Sequence, residues 1–289
     1  MPIETDFEEI NKAKASMDHI YNQPDPRAYV REMKKLGYAI PDQAKPILQK
    51  LIAHLQKRKN DAVHILDLGC SYGVNAALLK HDLTLPELYG HWSQKALTNA
   101  APEKVVAHDR RYFADLEEAN DIAVIGLDQA ENAVAFAEET GLIEEGLAVN
   151  LEAQKLPAPA KEDLAPVDLV TSTGCVGYIT EKTFDRLLPA VTQGWSPWLA
   201  NFVLRMFPFD AIERTLNGWG YVTEKLQGNT FVQRRFASAE EQAQVLEQLQ
   251  DQGIDPSSKE TEGHLLAEFY LSRPAAEATE LTIERLALA

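Results

Sequence analysis

A break between two apolar runs holds the residues best suited to bind a ligand. The stretch HILDLGCSYGVNAALL, residues 64–79, passes from aliphatic residues to Asp67, continues through Gly69 and Gly73, and becomes apolar again. A packed core does not need such a break. Glycines after a strand let the backbone turn tightly and approach a ligand closely. The pattern therefore predicts a ligand-binding turn.

The spacing within this turn differs from the common nucleotide-binding loops. The dinucleotide pattern GxGxxG would need glycines where Ser71 and Val74 stand, and the P-loop pattern GxxxxGK[ST] is absent. An anionic Asp67 would repel a pyrophosphate, but it would attract a cationic amino-acid group. The residue types thus favour a cofactor with a cationic part.

Alternating elements position this turn. Short apolar runs typical of buried parallel strands are AVHILDL (62–68), IAVIGLD (122–128), GLAVN (146–150), VDLVTST (167–173) and WLANFVLRMF (198–207). Segments with helical periodicity, such as NAALLKH, ENAVAFAEETG and EKTFDRLLPAV, separate these runs. The alternation predicts an α/β fold with a doubly wound, mostly parallel sheet, whose ligand lies beyond the carboxyl ends of the strands.

The last part of the chain predicts antiparallel additions at one sheet edge. Residues 221–236 have the pattern of a hairpin about Gly228 and Asn229. A helix follows, with Ser238 as its cap and Glu241 three residues on. HLLAEFYLSR predicts a final strand.

Two segments fall outside the alternation. Residues 1–60 predict helices. The second of them opens at Pro41, and Pro46 within it indicates either a kink or a later start near Ala44. Residues 82–120 are longer than an ordinary connection and predict a helical insertion, either beside the ligand or far from it. We therefore predict a helical cap or lid over 1–60 and a catalytic domain over 61–289, interrupted at about 82–120.

Composition limits the classes of partner. The formal net charge of −16 repels phosphate backbones, so we expect no nucleic-acid partner. Cys70 and Cys175 do not make a disulfide framework, and no Cys or His spacing predicts a metal site. No apolar run approaches the roughly 18 residues of a membrane span, and the polar start MPIETDFEEINKAK is unlike a signal peptide. We expect a cytoplasmic protein without a membrane partner.

Four segments in order resemble the class I S-adenosylmethionine-dependent methyltransferases. Residues 67–73 are similar to the family's first motif, [D/E]xGxGxG, except that Ser71 replaces the middle glycine. VIGLDQAENAVAFAEETG, AVNLEAQKLP and VDLVTSTGCVGYI are similar to the segments around the next three strands. The resemblance covers about residues 60–272. It implies the seven-stranded, Rossmann-like methyltransferase fold and S-adenosyl-L-methionine as the cofactor.

The resemblance also implies the cofactor contacts. Asp128, at the end of the second strand, would hold the ribose hydroxyls, a role suited to a carboxylate; the same residue could instead cap the following helix. Asn150 and Leu151 take the positions that meet adenine, with Asn where Asp is more usual. The full set of expected cofactor-binding residues is Asp67, Gly69, Cys70, Ser71, Tyr72, Gly73, Asp128, Gln129, Asn150, Leu151, Ser172 and Thr173.

Aromatic residues are the candidates for catalysis. Methyl transfer is an in-line displacement that depends on alignment and exclusion of water. Tyr72 and Tyr178 follow strand ends and could hold a sulfonium through cation–π attraction. Tyr21, Tyr29 and Tyr38, together with Arg27, could reach the substrate from a lid, or the segment could only be a helical cap packed through its aromatic residues. We name Tyr178 and Tyr21 as candidate catalytic residues.

The leading interpretation is a methyltransferase acting on a small-molecule acceptor, whose acceptor atom no motif identifies. Some relatives instead cyclise the aminobutyryl chain of the cofactor to azetidine-2-carboxylate and release methylthioadenosine, and this reaction stays open. A non-catalytic cofactor-binding protein is the third interpretation, since binding is not turnover.

Overall fold

One mixed sheet organises the molecule, for which a computed structural model describes residues 7–12 and 18–288. The strands of the described residues are β1 (Val63–Leu68), β2 (Ile122–Asp128), β3 (Glu145–Ala148), β4 (Leu169–Thr173), β5 (Trp198–Leu204), β6 (Tyr221–Lys225), β7 (Phe231–Arg235) and β8 (His264–Pro274). They lie in the order β3-β2-β1-β4-β5-β8-β6, and β7 also pairs with β8.

Helices cover the sheet and fill the segments between its strands. Those of the described residues are α1 (Phe7–Asn11), α2 (Asp18–Tyr21), α3 (Arg27–Leu36), α4 (Ile40–Lys59), α5 (Val74–Lys80), α6 (Leu85–Trp92), α7 (Pro102–Ala114), α8 (Glu131–Glu139), α9 (Ala160–Leu164), α10 (Glu181–Val191), α11 (Asp210–Gly218), α12 (Ala239–Asp251), α13 (Ala275–Ala278) and α14 (Ile283–Ala287). Short 3₁₀ turns lie at Lys95–Leu97 and Glu260–Glu262. No helix in these ranges has both the length and the apolarity to cross a membrane.

The first five strands are parallel and confirm the predicted doubly wound sheet. Val63 of β1 lies opposite Ile122 of β2, and Leu169 of β4 lies opposite Trp198 of β5. Every residue of β5 is buried, as expected for a strand covered on both faces. The carboxyl ends of β1, β2 and β4 therefore meet at one edge of the sheet, where the turn after Asp67 begins.

The predicted hairpin over 221–236 is wrong. In the described sheet β6 and β7 pair not with each other but both with β8, β6 from Tyr221 opposite Pro274 and β7 from Phe231 opposite Ala267. Leu226 is fully buried, and its N–H donates to the Phe269 carbonyl at 3.0 Å, so the chain stays on β8 after β6 ends. β6 and β7 thus form one interrupted edge strand, and the sheet keeps the seven positions expected.

Helix α4 opens at Pro41 as predicted, and the alternative of a later start is wrong. It begins at Ile40, continues through Pro46 to Lys59 and does not start near Ala44. Pro41 occupies the first turn, where a missing N–H costs nothing, and the buried side chains of Ile40 and Ala44 place that turn in the core. Burial of the apolar face offsets the lost hydrogen bond at Pro46.

Helices α3 and α4 of the first sixty residues share their core with the sheet. Helix α4 packs on β1, β4 and β7, while α3 packs against α6 of the insertion. The Arg27 guanidinium donates to the Leu97 carbonyl at 2.5 Å, and the rings of Tyr29 and Tyr89 lie 6.4 Å apart. The insertion over 82–120 thus packs against α3.

Candidate functional site

A cavity of about 230 Å³ lies beyond the carboxyl ends of the parallel strands. Residues following β1, β2, β3 and β4 line it, together with Tyr21, Tyr29, Tyr38 and Pro41 from the first sixty residues. The sequence-predicted residues found in its lining are Gly69, Cys70, Ser71, Asp128, Gln129, Asn150, Leu151, Thr173, Tyr178 and Tyr21. Five separate segments of the chain are thereby brought to one site.

The turn after β1 owes its shape to left-handed backbone. Gly69 has φ +78°, Ser71 has φ +48° and Gly73 has φ +76°. A Cβ atom at Gly69 would lie 2.7 Å from the Cβ of Cys175, so a glycine is required there by contact as well as by torsion. Ser71 adopts this torsion although it has a side chain, and it lines the cavity.

The Ser71 hydroxyl is an unusual feature of the lining. Ser71 is 7% exposed, and its Oγ has no hydrogen-bond partner among the described residues. A buried hydroxyl without a partner costs free energy. This hydroxyl is therefore suited to bind a ligand.

Asp128 joins the end of β2 to the turn after β1. Its Oδ2 accepts a hydrogen bond from the Ser71 N–H at 3.0 Å, and its Oδ1 accepts one from the Ala130 N–H at 3.0 Å. Burial raises the pKa of the Asp128 carboxyl. Helix α8 begins only at Glu131, with Ala130 as its N-cap, so the carboxylate faces the cavity rather than acting as that cap.

Asp67 lies behind the lining rather than in it. Its buried carboxylate accepts hydrogen bonds from Asn75 Nδ2 at 2.9 Å and from Thr171 Oγ1 at 3.0 Å. Burial raises the pKa of Asp67 to about 6. Asn75 also donates to Thr173 Oγ1 at 3.0 Å and itself lines the cavity. Asp67 can therefore act on a ligand only across Asn75.

Asn75 is a site residue that sequence reasoning missed. It sits two residues after Gly73 in an otherwise apolar helix. A buried amide among aliphatic residues needs polar partners, and that anomaly was the available signal. Its amide links the carboxylate behind the cavity to the lining.

Three other expected cofactor residues also lie outside the lining: Tyr72, Gly73 and Ser172. Gly73 serves as the left-handed N-cap of α5. The Ser172 hydroxyl lies 3.1 Å from the thiol of Cys175. Gly73 and Ser172 thus contact neighbouring parts of the chain and not the described cavity.

Tyr72 lies outside the described lining of the cavity, and its expected contact with a sulfonium stays a prediction. Its ring is fully buried, and its hydroxyl accepts from the Gln23 N–H at 2.9 Å. The same hydroxyl lies 3.0 Å from the Gln23 carbonyl and 3.2 Å from the Ile20 carbonyl. Tyr72 therefore anchors the segment between α2 and α3.

Four tyrosines contribute to the cavity lining. Tyr21, Tyr29, Tyr38 and Tyr178 all line the cavity. The ring of Tyr29 lies 5.6 Å from that of Tyr21 and 6.4 Å from that of Tyr38. Burial raises the pKa of Tyr29 and of Tyr38 well above the usual range. Tyr178 is half-exposed at the mouth. We refer to these four residues as the tyrosine wall.

The insertion over 82–120 supplies none of the described lining residues. It contacts the tyrosine wall from outside the lining, because Tyr89 packs against Tyr29. The insertion therefore contacts a residue of the cavity lining but contributes no described lining residue itself.

Glu152 is a second lining residue that the sequence analysis missed. Its carboxylate accepts from the Thr180 N–H at 2.8 Å, the Thr180 hydroxyl at 2.9 Å and the Thr183 hydroxyl at 2.6 Å. It thereby ties the loop after β3 to the start of α10. Its position directly after Leu151, within a segment already assigned to the site, was the available signal.

The two cysteines behave as packed residues. The Cys175 thiol donates to the Leu68 carbonyl at 3.1 Å, and burial raises its pKa to about 12. Burial also raises the pKa of Cys70 well above its usual range. Neither thiol is activated as a nucleophile.

A possible metal-ligand group lies away from the cavity. Among the described residues it consists of His91, His108 and Asp109 in α6 and α7. Asp109 Oδ1 lies 2.7 Å from His91 Nε2, and Asp109 Oδ2 accepts from Trp92 Nε1 at 2.7 Å. These contacts join the two helices of the insertion.

No protein-family model matches the chain, and no curated protein matches it. Among solved structures, the chain is similar to the plantazolicin methyltransferase BpumL in complex with SAH, at 12% identity and a TM-score of 0.43 over 93% of this chain and 97% of that one. It is also similar to magnesium protoporphyrin IX methyltransferase from Synechocystis PCC 6803 with bound SAM, at 11% identity and a TM-score of 0.38 over 93% and 92% of the two chains. A third is a TehB-like SAM-dependent methyltransferase from Corynebacterium glutamicum, at 11% identity and a TM-score of 0.36 over 77% and 85%.

Proposed function

We propose that the protein is a class I S-adenosylmethionine-dependent methyltransferase that acts on a small-molecule acceptor in the cytoplasm. The observation that carries the proposal is the meeting of the glycine turn with Asp128, joined by the hydrogen bond from the Ser71 N–H. In an open α/β sheet this is the edge where ligands bind. The residues present suit a ligand with hydroxyls near Asp128 and a cationic part nearby.

The lining residues would divide the cofactor among them. Asp128 and Gln129 would accept hydrogen bonds from the ribose hydroxyls. Asn150 and Leu151 would contact adenine. The turn with Gly69, Cys70 and Ser71 would approach the amino-acid part, and Thr173 lies on the same side. The regions proposed for these tasks are a cap over 1–60 and a catalytic domain over 61–289.

Bound S-adenosylmethionine supplies an electrophilic methyl group. The chain's own task is then to hold that group, align the acceptor and exclude water. The tyrosine wall, which includes the candidate catalytic residues Tyr21 and Tyr178, would suit a positive charge in the cavity.

The first test is mass spectrometry of the purified protein with S-adenosylmethionine alone and then with a metabolite extract. We expect S-adenosylhomocysteine only with the extract, together with one extract compound heavier by a methyl group. Methylthioadenosine without any extract would instead indicate cyclisation of the cofactor's own side chain. Binding without consumption in either sample would indicate a cofactor-binding protein.

Asp128→Ala tests the ribose assignment directly. We expect the variant to bind S-adenosylmethionine about 1–3 kcal/mol more weakly in calorimetry, because charged hydrogen bonds are lost. Asp251→Ala, at an exposed position at the end of α12, is the matched control and should bind like the parent. Parent-like affinity of a folded Asp128→Ala protein would remove Asp128 from the ribose role.

A further inference from the structure

A basic cleft lies between α3 and the insertion, and it shares no described lining residue with the cavity at the sheet edge. Its volume is about 470 Å³, a size common among small-molecule sites. The described lining consists of Arg27, Arg31, Lys34, Lys35, Trp92, Ser93, Gln94 and Thr98. Every charged side chain in that lining is therefore positive. We refer to this space as the α3 cleft.

Carboxylates beside the α3 cleft neutralise part of its charge. The Arg27 guanidinium forms an ion pair with Asp25 at 2.7 Å. Glu32 is shared by two cations, Arg31 at 3.2 Å and Lys35 at 2.9 Å. Two acids thus face four cations, so the cleft stays positive in a chain whose formal net charge is −16.

Lys34 carries charge that the described protein does not neutralise. Its side chain is exposed in the last turn of α3 and has no hydrogen bond or ion pair with another described residue. A cation that no described carboxylate pairs with is free to attract an anionic ligand.

A second basic cleft adjoins the α3 cleft and shares Gln94 with it. Its described lining includes Lys104, Arg111 and one acid, Asp115. Neither Lys104 nor Arg111 forms an ion pair with a described carboxylate. Both side chains therefore add positive charge beside the α3 cleft.

Hydrogen-bond donors stand on both walls of the α3 cleft. On the wall formed by α3, Arg27 Nη1 donates to the Leu97 carbonyl at 2.5 Å and thereby ties the two walls together. On the wall formed by the insertion, the hydroxyls of Ser93 and Thr98 and the amide of Gln94 are potential donors. Donors and cations that converge on one space suit the oxygens of a phosphate group.

Size and lining favour a small anion over a nucleic acid. Trp92, the aromatic residue of the described lining, is 1% exposed, so its ring offers no free face on which a base could stack. A long polyanion would also extend beyond the screening length of about 8 Å and meet the acidic remainder of the surface. A small molecule keeps all of its charges within the basic region.

From this arrangement we infer that the α3 cleft binds a small molecule that carries several phosphate groups. Such a ligand would bridge α3 and the insertion. The inference goes beyond the proposed methyl transfer, because it concerns a second site and is tested by binding alone.

Calorimetry of the full-length protein with inorganic tripolyphosphate, in about 0.1 M NaCl, tests the inference. Citrate, a short single-stranded oligonucleotide and hexaglutamate are titrated in parallel. We expect tripolyphosphate to bind about tenfold or more tightly than each of the other three, and to raise the temperature of unfolding. No binding of tripolyphosphate, or tighter binding of citrate, the oligonucleotide or the peptide, would overturn the inference.

Lys34→Glu and Lys57→Glu are matched variants. Both lysines are exposed in the last turn of a helix, but Lys57 lies at the end of α4 and lines neither cleft. We expect Lys34→Glu to weaken tripolyphosphate binding about tenfold or more, because attraction is replaced by repulsion. Lys57→Glu changes the net charge equally and should stay within about twofold of the parent.

Arg31→Gln provides a second reading that removes a charge without reversing it. Its exposed side chain lines the α3 cleft, and its loss should weaken tripolyphosphate binding about threefold. Thermal unfolding without ligand shows that each variant is folded. Parent-like affinity in both cleft variants, or equal weakening in Lys57→Glu, would contradict binding at the α3 cleft.

Discussion

Ser71 combines a strained backbone with an unpartnered hydroxyl. Its φ of +48° lies in the left-handed region, which costs a residue with a side chain about 1 kcal/mol. Glycine would fit this torsion better, yet a serine stands there with its Oγ buried in the cavity lining. The hydroxyl is the feature that a glycine could not supply.

Two substitutions of Ser71 separate the effect of its backbone torsion on stability from the effect of its hydroxyl on cofactor binding. We expect Ser71→Gly to raise the free energy of unfolding by about 0.5–1 kcal/mol, because the left-handed strain is relieved. Both Ser71→Gly and Ser71→Ala should weaken cofactor binding by about 0.5–1.5 kcal/mol, since each loses one hydrogen bond. Calorimetry and urea unfolding measure the two effects. Parent-like affinity of Ser71→Ala would show that the hydroxyl does not contact the cofactor.

At the scale of elements, the segment before α3 is held to the glycine turn by one side chain. Tyr72 reaches the Gln23 amide at 2.9 Å, while its ring packs 5.6 Å from Tyr29 and 5.8 Å from Phe136. Through Tyr72, the turn that lines the cavity therefore also holds the segment between Tyr21 and Tyr29 of the tyrosine wall in place.

Tyr72→Phe removes the hydroxyl and keeps the ring. We expect amide hydrogen exchange in residues 18–26 to become about tenfold faster, because hydrogen bonds worth about 1–1.5 kcal/mol are lost there. Exchange in β1 and β5 should change much less. Mass spectrometry of proteolytic peptides resolves these regions.

Tyr112→Phe is the control for this prediction. Tyr112 lies in the insertion and contacts the rings of His91 and Phe113. Its variant should leave exchange over 18–26 at the parent rate. Equal acceleration in both variants would mean that the effect is a general loss of stability rather than release of the anchor.

At the scale of the whole molecule, a buried carboxyl at the centre of the sheet makes stability depend on pH. Asp67 is 1% exposed, and it contacts Asn75 of α5 and Thr171 of β4. Burial raises its pKa from 3.8 to about 6. The folded protein therefore holds this proton more tightly than the unfolded chain does.

The sign of the pH dependence follows from that difference. The stabilisation from protonated Asp67 is complete below pH 3.8 and is lost as pH rises through about 6. A difference of about two pKa units corresponds to about 3 kcal/mol. We expect Asp67→Asn, which cannot ionise, to lack this loss.

Urea unfolding of the parent and of Asp67→Asn between pH 4 and 7.5 measures the effect. The stability of the parent relative to the variant should fall with rising pH by about 3 kcal/mol. Other carboxyls contribute equally to both proteins and cancel in the difference. Parallel curves would show that Asp67 has an ordinary pKa.

Local signals in the sequence were sufficient for the parallel half of the sheet and for the position of the site. Aliphatic runs bounded by polar residues located β1, β2, β4 and β5 to within a few residues. Gly69 and Asp128 stand directly at strand ends, and parallel strands bring such ends to one edge whatever the rest of the chain does. For that reason the expected turn and the expected acid do line the same cavity.

Only the tertiary structure decided which partners distant segments choose. Gly228 and Asn229 carry a hairpin signal, yet Leu226 is buried against β8 and both flanking strands pair there. Tyr72 lies in the turn where a ligand contact was expected. Its hydroxyl instead hydrogen-bonds to backbone groups about fifty residues earlier in the chain. Such choices depend on the competition between contacts far apart along the chain, and a local pattern of residue types does not contain that competition.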